Sequence, residues 1–269
     1  QLMLYGRIPA PSSIYQSIQK LEPGCMMDLR RVQGQWRVGK VAQWWDYQTN
    51  VATQISRNSI APGLVVDEVE TILRTTISGQ MDADVPVGAF LSGGIDSSTI
   101  VAIASAQSSD PIHTFTVGFE SDDYDESDQA RAIAKHLGTK HHELVVSPNN
   151  ALETVESLPS IYSEPFADSS QIPTALIAQF ASEHVKVVMS GDGGDEVFGG
   201  YNRYIWAPRI RQVSRFLPGS MKKFLNKKMF SGAIPSRGLV YLLDFIARLV
   251  SVRQSDEKIQ KALVALLTS

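Results

Sequence analysis

Cysteine is almost missing from this sequence: Cys25 stands alone. One thiol excludes an internal disulfide and any zinc site built from cysteines. It also fits a reducing compartment, and a cytoplasmic location is the expectation. Long apolar runs are absent. The longest, such as Leu239 to Leu243, fall far short of the roughly 20 residues that cross a bilayer. No basic-then-apolar leader opens the chain, so no membrane partner is expected. A charge excess of either sign is absent as well. Lys and Arg number 25 against 28 Asp and Glu, a net charge of −3. That balance does not suggest a dedicated binder of nucleic acid or membrane surfaces. There is no internal repeat and no low-complexity tract.

The 269 residues are 43% hydrophobic and 20% charged, enough for one large domain or two small ones. The chain opens on Gln1 and stops at Ser269 inside the helix-like run Asp256 to Leu267, so a fragment of a longer protein is expected at both ends.

Residues 1 to about 47 are punctuated by Pro9, Pro11 and Pro23 and by Gly6, Gly24, Gly34 and Gly39. Met26 to Leu29 and Trp36 to Val38 read as strands around a turn near Gln33-Gly34. Residues 48–63 are polar and read as a linker. Val65 to Met81 carries apolar residues at 65, 66, 69, 72, 73 and 77, a helical spacing.

From Val85 the pattern becomes strand, turn, helix, repeated. Strands are expected over Val85 to Leu91, Ile112 to Phe119, His142 to Val146 and Val185 to Met189. Helices are expected over Ser97 to Ala106, Ser127 to Leu137, Ala151 to Ile161 and Ile172 to His184. Such alternation predicts an α/β domain with a mainly parallel sheet flanked by helices, its crossovers right-handed. Residues 197–243 hold nine Lys or Arg and no Asp or Glu. That stretch reads either as a phosphate-facing patch or as a solvated helical face with its acidic partners elsewhere. Of the five histidines, His141 and His142 point to opposite faces of a strand, and all five read as structural.

Two segments carry chemistry. Ser92-Gly93-Gly94-Ile95-Asp96-Ser97-Ser98 lies where a buried strand meets a helix. Its glycines let the backbone turn tightly against a ligand, and the helix start aims unpaired N–H groups at the same place. That suits the phosphates of a nucleotide. Asp96 beside phosphate calls for a cation between them, and Mg²⁺ on phosphate oxygens supplies one. The loop lacks the lysine of a Walker loop and the three spaced glycines of a dinucleotide fingerprint. The second segment, Ser190-Gly191-Asp192-Gly193-Gly194-Asp195-Glu196, also follows a buried strand. Its three carboxylates within five residues repel one another unless cations are near. Both turns lie at carboxyl ends of strands, where open parallel sheets bind ligands, so they can converge on one ligand.

Ser92 to Ser97 resembles the PP-loop of the ATP pyrophosphatases, which leaves several families open: GMP synthetases, NAD synthetases, tRNA-modifying enzymes and asparagine synthetases. The segment from Met189 to Tyr201 narrows this, being similar to that of the asparagine synthetases and their relatives. Gly6 to Pro11 and Leu21 to Gly24 resemble the end of that family's glutamine-hydrolysing domain, and Trp45-Asp46 its linker. Thr114 to Phe119 resembles its adenine-contacting strand, and Glu164 to Ser170 a family segment lining the cleft. The resemblance implies an adenine nucleotide α-hydrolase-like fold with a short N-terminal β remnant. Residues 1–47 would close the glutaminase domain, 48–63 link the two, and 64–269 form a C-terminally truncated ATP-dependent synthetase domain.

The resemblance also implies ATP-dependent amide formation through an acyl-adenylate, with aspartate converted to asparagine by glutamine-derived ammonia. ATP contacts would be Leu91, Ser92, Gly93, Gly94, Asp96, Ser97, Val117, Ser190 and Gly191. Asp96 and Asp195 would hold Mg²⁺, and Asp192 would be catalytic, accepting a proton from the attacking amine. Partners would be small molecules, with a homodimer left open. The family's glutaminase nucleophile is an N-terminal cysteine. Gln1 is no such residue, and Cys25 lies in another segment and reads as a small buried residue. Asparagine synthetases usually carry Glu where this chain has Asp192. The shorter carboxylate occurs in relatives from polysaccharide and peptide-modifying pathways. A related amidotransferase or cyclase acting on another carboxylate therefore stays open, as does a nucleotide-binding module without turnover.

Overall fold

A computed structural model describes residues 1–57, 62–119, 126–201, 204 and 208. It separates into two units, Gln1–Gly191 and the described part of Asp192–Ser269.

The first unit opens with the short helix α1 (Leu2–Tyr5), ended by Gly6 in the left-handed conformation. Two small antiparallel pairs follow. Strand β1 (Cys25–Met26) pairs with β4 (Ala42–Gln43), and β2 (Leu29–Val32) with β3 (Gln35–Val38). Gln33 and Gly34 both take positive φ, as a two-residue hairpin turn requires. The strand expected over Met26 to Leu29 is thus displaced: the turn sets the register, and Leu29 begins the paired strand. Cys25 is half-buried rather than buried, on a two-residue strand of a two-stranded sheet.

The polar stretch read as linker begins as a helix, α2 (Tyr47–Arg57). Asp46 starts it. Its carboxylate accepts the Gln48 N–H at 3.1 Å and the Thr49 hydroxyl at 2.5 Å, satisfying groups a helix start leaves open. Polarity marks exposure here, not loop.

Helix α3 (Val65–Met81) occupies the span its periodicity predicts, with Asp67 and Glu68 in the first turn, where the helix dipole favours acids. Then come β5 (Val87–Phe90), α4 (Ile95–Gln107), β6 (His113–Phe119), α5 (Ser127–Leu137), β7 (Lys140–Val146), α6 (Pro148–Ile161), α7 (Gln171–Ser182) and β8 (Val187–Met189). Gly138 ends α5 in the left-handed conformation. Ser147 and Asn150 form a reciprocal capping box on α6, behind Pro148 in its first turn.

The four longer-range strands make one parallel sheet in the order β7-β6-β5-β8. This is the expected α/β architecture. One apolar cluster joins Ile77 of α3, Val101 and Ala104 of α4, and Ala130 and Ala134 of α5 to Ala89, Leu91 and Met189. A second joins Phe115 to Ala181, Val185, Ile177 and Phe180, from α7 and the turn after it. Neighbouring strand residues point to opposite faces. Ala89 and Met189 therefore serve one cluster and Phe90 and Val188 the other, which puts helices on both sides of the sheet.

In the second unit, helix α8 (Gly194–Phe198) lies between Gly193 and Gly199, both in the left-handed conformation. The basic stretch 197–243 and the run Asp256 to Leu267 fall almost wholly outside the described residues.

Candidate nucleotide-binding site

Sheet order fixes where a ligand would sit. From β5 the chain adds β6 and then β7 on one side, and returns to place β8 on the other. Strand order therefore reverses between β5 and β8. In open parallel sheets the crevice beyond the carboxyl ends at such a reversal is the ligand site. The pair is in close register: Val87 faces Val187, Gly88 faces Val188 and Ala89 faces Met189. Both glycine-rich turns thus leave the sheet side by side, although about a hundred residues separate them in sequence.

The first turn is held by its own serines. Ser97, 7% exposed, accepts the Ser92 N–H at 3.2 Å and lies 3.0 Å from the Ser92 hydroxyl. Ser98 donates to the Gly94 carbonyl at 2.6 Å. These bonds shape the loop before any ligand arrives. The first N–H groups of α4 have no acceptor inside the helix and stand at its positive end, a place suited to anionic oxygens. Asp96 is half-buried in that first turn.

Two glycines make this geometry possible. Gly93 has φ +79°, and a Cβ there would lie 2.9 Å from the Gln129 Cβ and 3.2 Å from the Ala130 nitrogen. The loop is thereby pressed onto the first turns of α5. Gly191 is the second: a Cβ on it would lie 2.8 Å from the Ser97 nitrogen and 3.1 Å from the Asp96 carbonyl carbon. Among the expected site residues, then, Ser92, Gly93, Gly94, Asp96, Ser97, Ser190 and Gly191 gather at one edge of the sheet.

Leu91 and Val117 stand differently. The Leu91 side chain is 1% exposed and packs in the core. Its N–H donates to the Phe115 carbonyl at 2.9 Å, and its carbonyl accepts from the Thr116 hydroxyl. Val117 is half-buried on β6, past Phe115, the residue paired with the end of β5. Strand β6 therefore outruns β5 and supplies a side wall. Thr116 was not among the residues singled out from sequence. The signal was present: Thr114 and Thr116 alternate in an otherwise apolar strand and are 0% and 2% exposed. A buried hydroxyl must find a partner, and Thr116 finds the carbonyl from which the loop departs.

Asp192 and Asp195 belong to the second unit. Asp192 is exposed and Asp195 half-buried. Asp195 lies in the first turn of α8, and the backbone N–H of Gly200 donates to its carbonyl at 3.1 Å. Its carboxylate lies over Gly200 and would have to swing aside for a side chain there. Glu196 accepts the Tyr201 hydroxyl at 2.7 Å.

His142 and His141 do face opposite ways. His141 Nδ1 lies 3.0 Å from the Thr114 hydroxyl, whereas His142 stacks on His184 with ring centroids 4.2 Å apart. His113 joins that stack at the amino edge, away from the glycine turns. Burial is the first cause lowering the pKa of His113, His141 and His142.

Comparison with known proteins identifies the family. The asparagine synthase family model matches residues 68–263. A Methanocaldococcus jannaschii protein named for glutamine-hydrolyzing asparagine synthetase 2 is 34% identical over 233 residues, 84% of this chain and 43% of that one. Bacillus subtilis asparagine synthetase 1 is 33% identical over 225 residues, 84% of this chain and 34% of that one. Among solved structures, an NMN synthetase from Francisella tularensis gives a TM-score of 0.37 at 19% identity, over 50% of this chain and 58% of that one. The chain spans only 32–43% of the length of the first curated relatives it matches. A family model covering most of the chain, together with relatives above 30% identity, is decisive: the chain belongs to the asparagine synthase family.

Proposed function

We propose that the chain is the adenylating part of an ATP-dependent amide synthetase, with aspartate as acceptor and asparagine as product. One observation carries the reading. Two glycine-rich turns leave adjacent parallel strands at the point where strand order reverses, and Gly191 closes onto the first turn of α4. The family and its relatives' names supply the reaction class.

The chemistry runs in two steps. An acceptor carboxylate oxygen attacks the α-phosphorus of ATP, the bond to the bridging oxygen breaks, and pyrophosphate leaves. Ammonia then attacks the acyl carbon of the adenylate, loses a proton, and displaces AMP. A carboxylate is a poor electrophile, and adenylation gives it a good leaving group. The Ser92–Ser97 loop and the N–H groups at the start of α4 bind and orient the departing pyrophosphate. Ser190 and Gly191 close the other side, and Val117 borders the adenosine, with Leu91, its side chain buried in the core, backing that wall. Asp192 takes the proton from the amine.

Asp96 and Asp195 are the carboxylates that would hold Mg²⁺, whose charge would neutralise the phosphate oxygens. The donor set fits. Among the described residues no group of three or more His, Cys, Asp or Glu is placed to hold a metal. A hard ion carried on phosphate needs only one or two carboxylates besides. Residues 1–47 then close a glutaminase domain that supplies ammonia, residues 48–63 link it, and residues 64–269 form the synthetase part. A cytoplasmic location and a homodimer complete the proposal.

Asp192 favours one rival. A shorter carboxylate in place of the usual Glu suits a different acceptor, in an amidotransferase or cyclase acting on another acid. Pyrophosphate release by the full-length protein, measured across a panel of carboxylic acids, separates the readings. Aspartate-dependent release supports the first and release with another acid alone supports the rival. ATP binding without release under any acid would leave a binding module.

A further inference from the structure

Outside the candidate site, residues 6–20 are fastened to residues 164–167 by an ion pair and a backbone hydrogen bond. The Lys20 ammonium lies 2.7 Å from a Glu164 carboxylate oxygen and donates to the Ile8 carbonyl at 2.5 Å. The Ala167 N–H donates to the Gly6 carbonyl at 2.7 Å. At Gly6, with φ +67°, a Cβ would touch the Ala167 Cβ at 3.4 Å. The Glu164 side chain is 17% exposed, the most enclosed carboxylate among the ion pairs of the described residues. Lys20 is itself fixed, its N–H donating to the Pro11 carbonyl at 3.0 Å.

The fastened segment leads directly into α7. Tyr162 donates its hydroxyl to the Gln171 carbonyl at 2.9 Å, and its ring meets Phe166 edge-on at 5.0 Å. Asp168 accepts the Ser170 N–H at 2.9 Å, a bond that lowers its pKa. The other end of α7 is at the amino edge of the sheet, where His184 stacks with His113 and His142. With 12 residues, α7 spans about 18 Å, close to a strand's length. Its start, with the exposed turn Asp168 to Ser170, therefore stands at the carboxyl edge, the edge from which both glycine turns depart.

We infer that Lys20 is a positioning residue: by clasping Glu164 it holds the Asp168–Ser170 turn at the edge where the acceptor carboxylate enters. A short exposed turn has few contacts of its own, and the clasp supplies its anchor from a distant part of the chain. The N-terminal segment and the rim then move together. The inference rests on the adenylation reading proposed above.

The test uses the full-length protein with Lys20→Ala, Glu164→Gln, and the exchanged pair Lys20→Glu with Glu164→Lys. Hydrogen–deuterium exchange of residues 162–171 reads the clasp without reference to activity. Pyrophosphate exchange against acceptor concentration reads the positioning. Lys20→Ala should speed amide exchange in that segment and raise the acceptor KM about fivefold. The KM for ATP should hold, and the exchanged pair should recover most of the acceptor KM. Faster amide exchange with an unchanged acceptor KM overturns the role, as does unchanged amide exchange. A rise in both KM values together means general damage and overturns it too. Absence of pyrophosphate exchange in the unaltered protein overturns the adenylation reading, and with it Lys20's part in the reaction, while amide exchange still reports the clasp.

Discussion

Gly191 stands against Ser97 so closely that a Cβ on the glycine would lie 2.8 Å from the serine's backbone nitrogen. Gly191 stands near the start of one glycine-rich turn, and Ser97 in the first turn of the helix after the other. Real Cβ atoms do not approach backbone this way, so the two turns meet only because residue 191 has no side chain. Gly191→Ala should push them apart. The expected cost is about 1–3 kcal/mol of stability, from overpacking. ATP affinity should fall at least about tenfold, because the N–H groups of α4 are displaced. Urea unfolding and calorimetric titration with ATP measure the two effects.

Gly93 and Gly94 should answer alanine differently. Gly93 has φ +79° and no room, its Cβ meeting Gln129 at 2.9 Å. Gly94 has φ −70° and would touch only the Ser92 hydroxyl, at 3.3 Å. Gly93→Ala is therefore expected to lose about 1–3 kcal/mol of stability. Gly94→Ala should keep its thermal midpoint and lose nucleotide affinity instead, since its methyl crowds the anion rather than the fold. Equal melting losses in the two variants would contradict the loop geometry.

Much of this geometry is legible in the sequence. Val65–Met81 and Ser127–Leu137 fall where apolar spacing and Gly138 put them. The parallel α/β plan followed from alternation alone. Strand order was not legible, because neighbours such as Val87 and Val187 are chosen by packing between distant segments. Helix α2 was missed because its residues are polar and only Asp46 signals a start. Lys20 and Glu164 lie 144 residues apart, and no periodicity reports such a pair. Within the site, the serines and glycines were legible as types. That Gly93 presses on α5 while Gly94 stays open was not.

Stability should depend on pH through the histidine stack. His142 lies 3.1 Å from His113 and stacks on His184. Burial first, then nearby Lys140 and His184, holds the His113 pKa below 6.5; burial, then His184 and His113, does the same for His142. Protons thus bind the unfolded chain more readily. The stabilisation is complete above about pH 6.5 and is lost as pH falls from there through the folded-state values. The thermal midpoint should hold from about pH 8 to 7 and decline below about 6.5. His142→Phe, which keeps a ring in the stack without a titrating group, should flatten part of that decline. Parallel declines in both proteins would exclude the stack as the cause.

In the proposed function the Ser92–Ser97 turn binds the pyrophosphate of ATP while a carboxylate is adenylated, and Asp96 holds the metal at the phosphates. Isotope exchange between pyrophosphate and ATP in the full-length protein, run with aspartate and Mg²⁺, tests it most directly when the unaltered protein is compared with Asp96→Asn. Asp96 is half-buried in a helix's first turn, outside both apolar clusters, so the variant should keep its thermal midpoint. Acceptor-dependent exchange is expected in the unaltered protein, with a loss of at least about a hundredfold in the variant. Undiminished exchange by Asp96→Asn would contradict it.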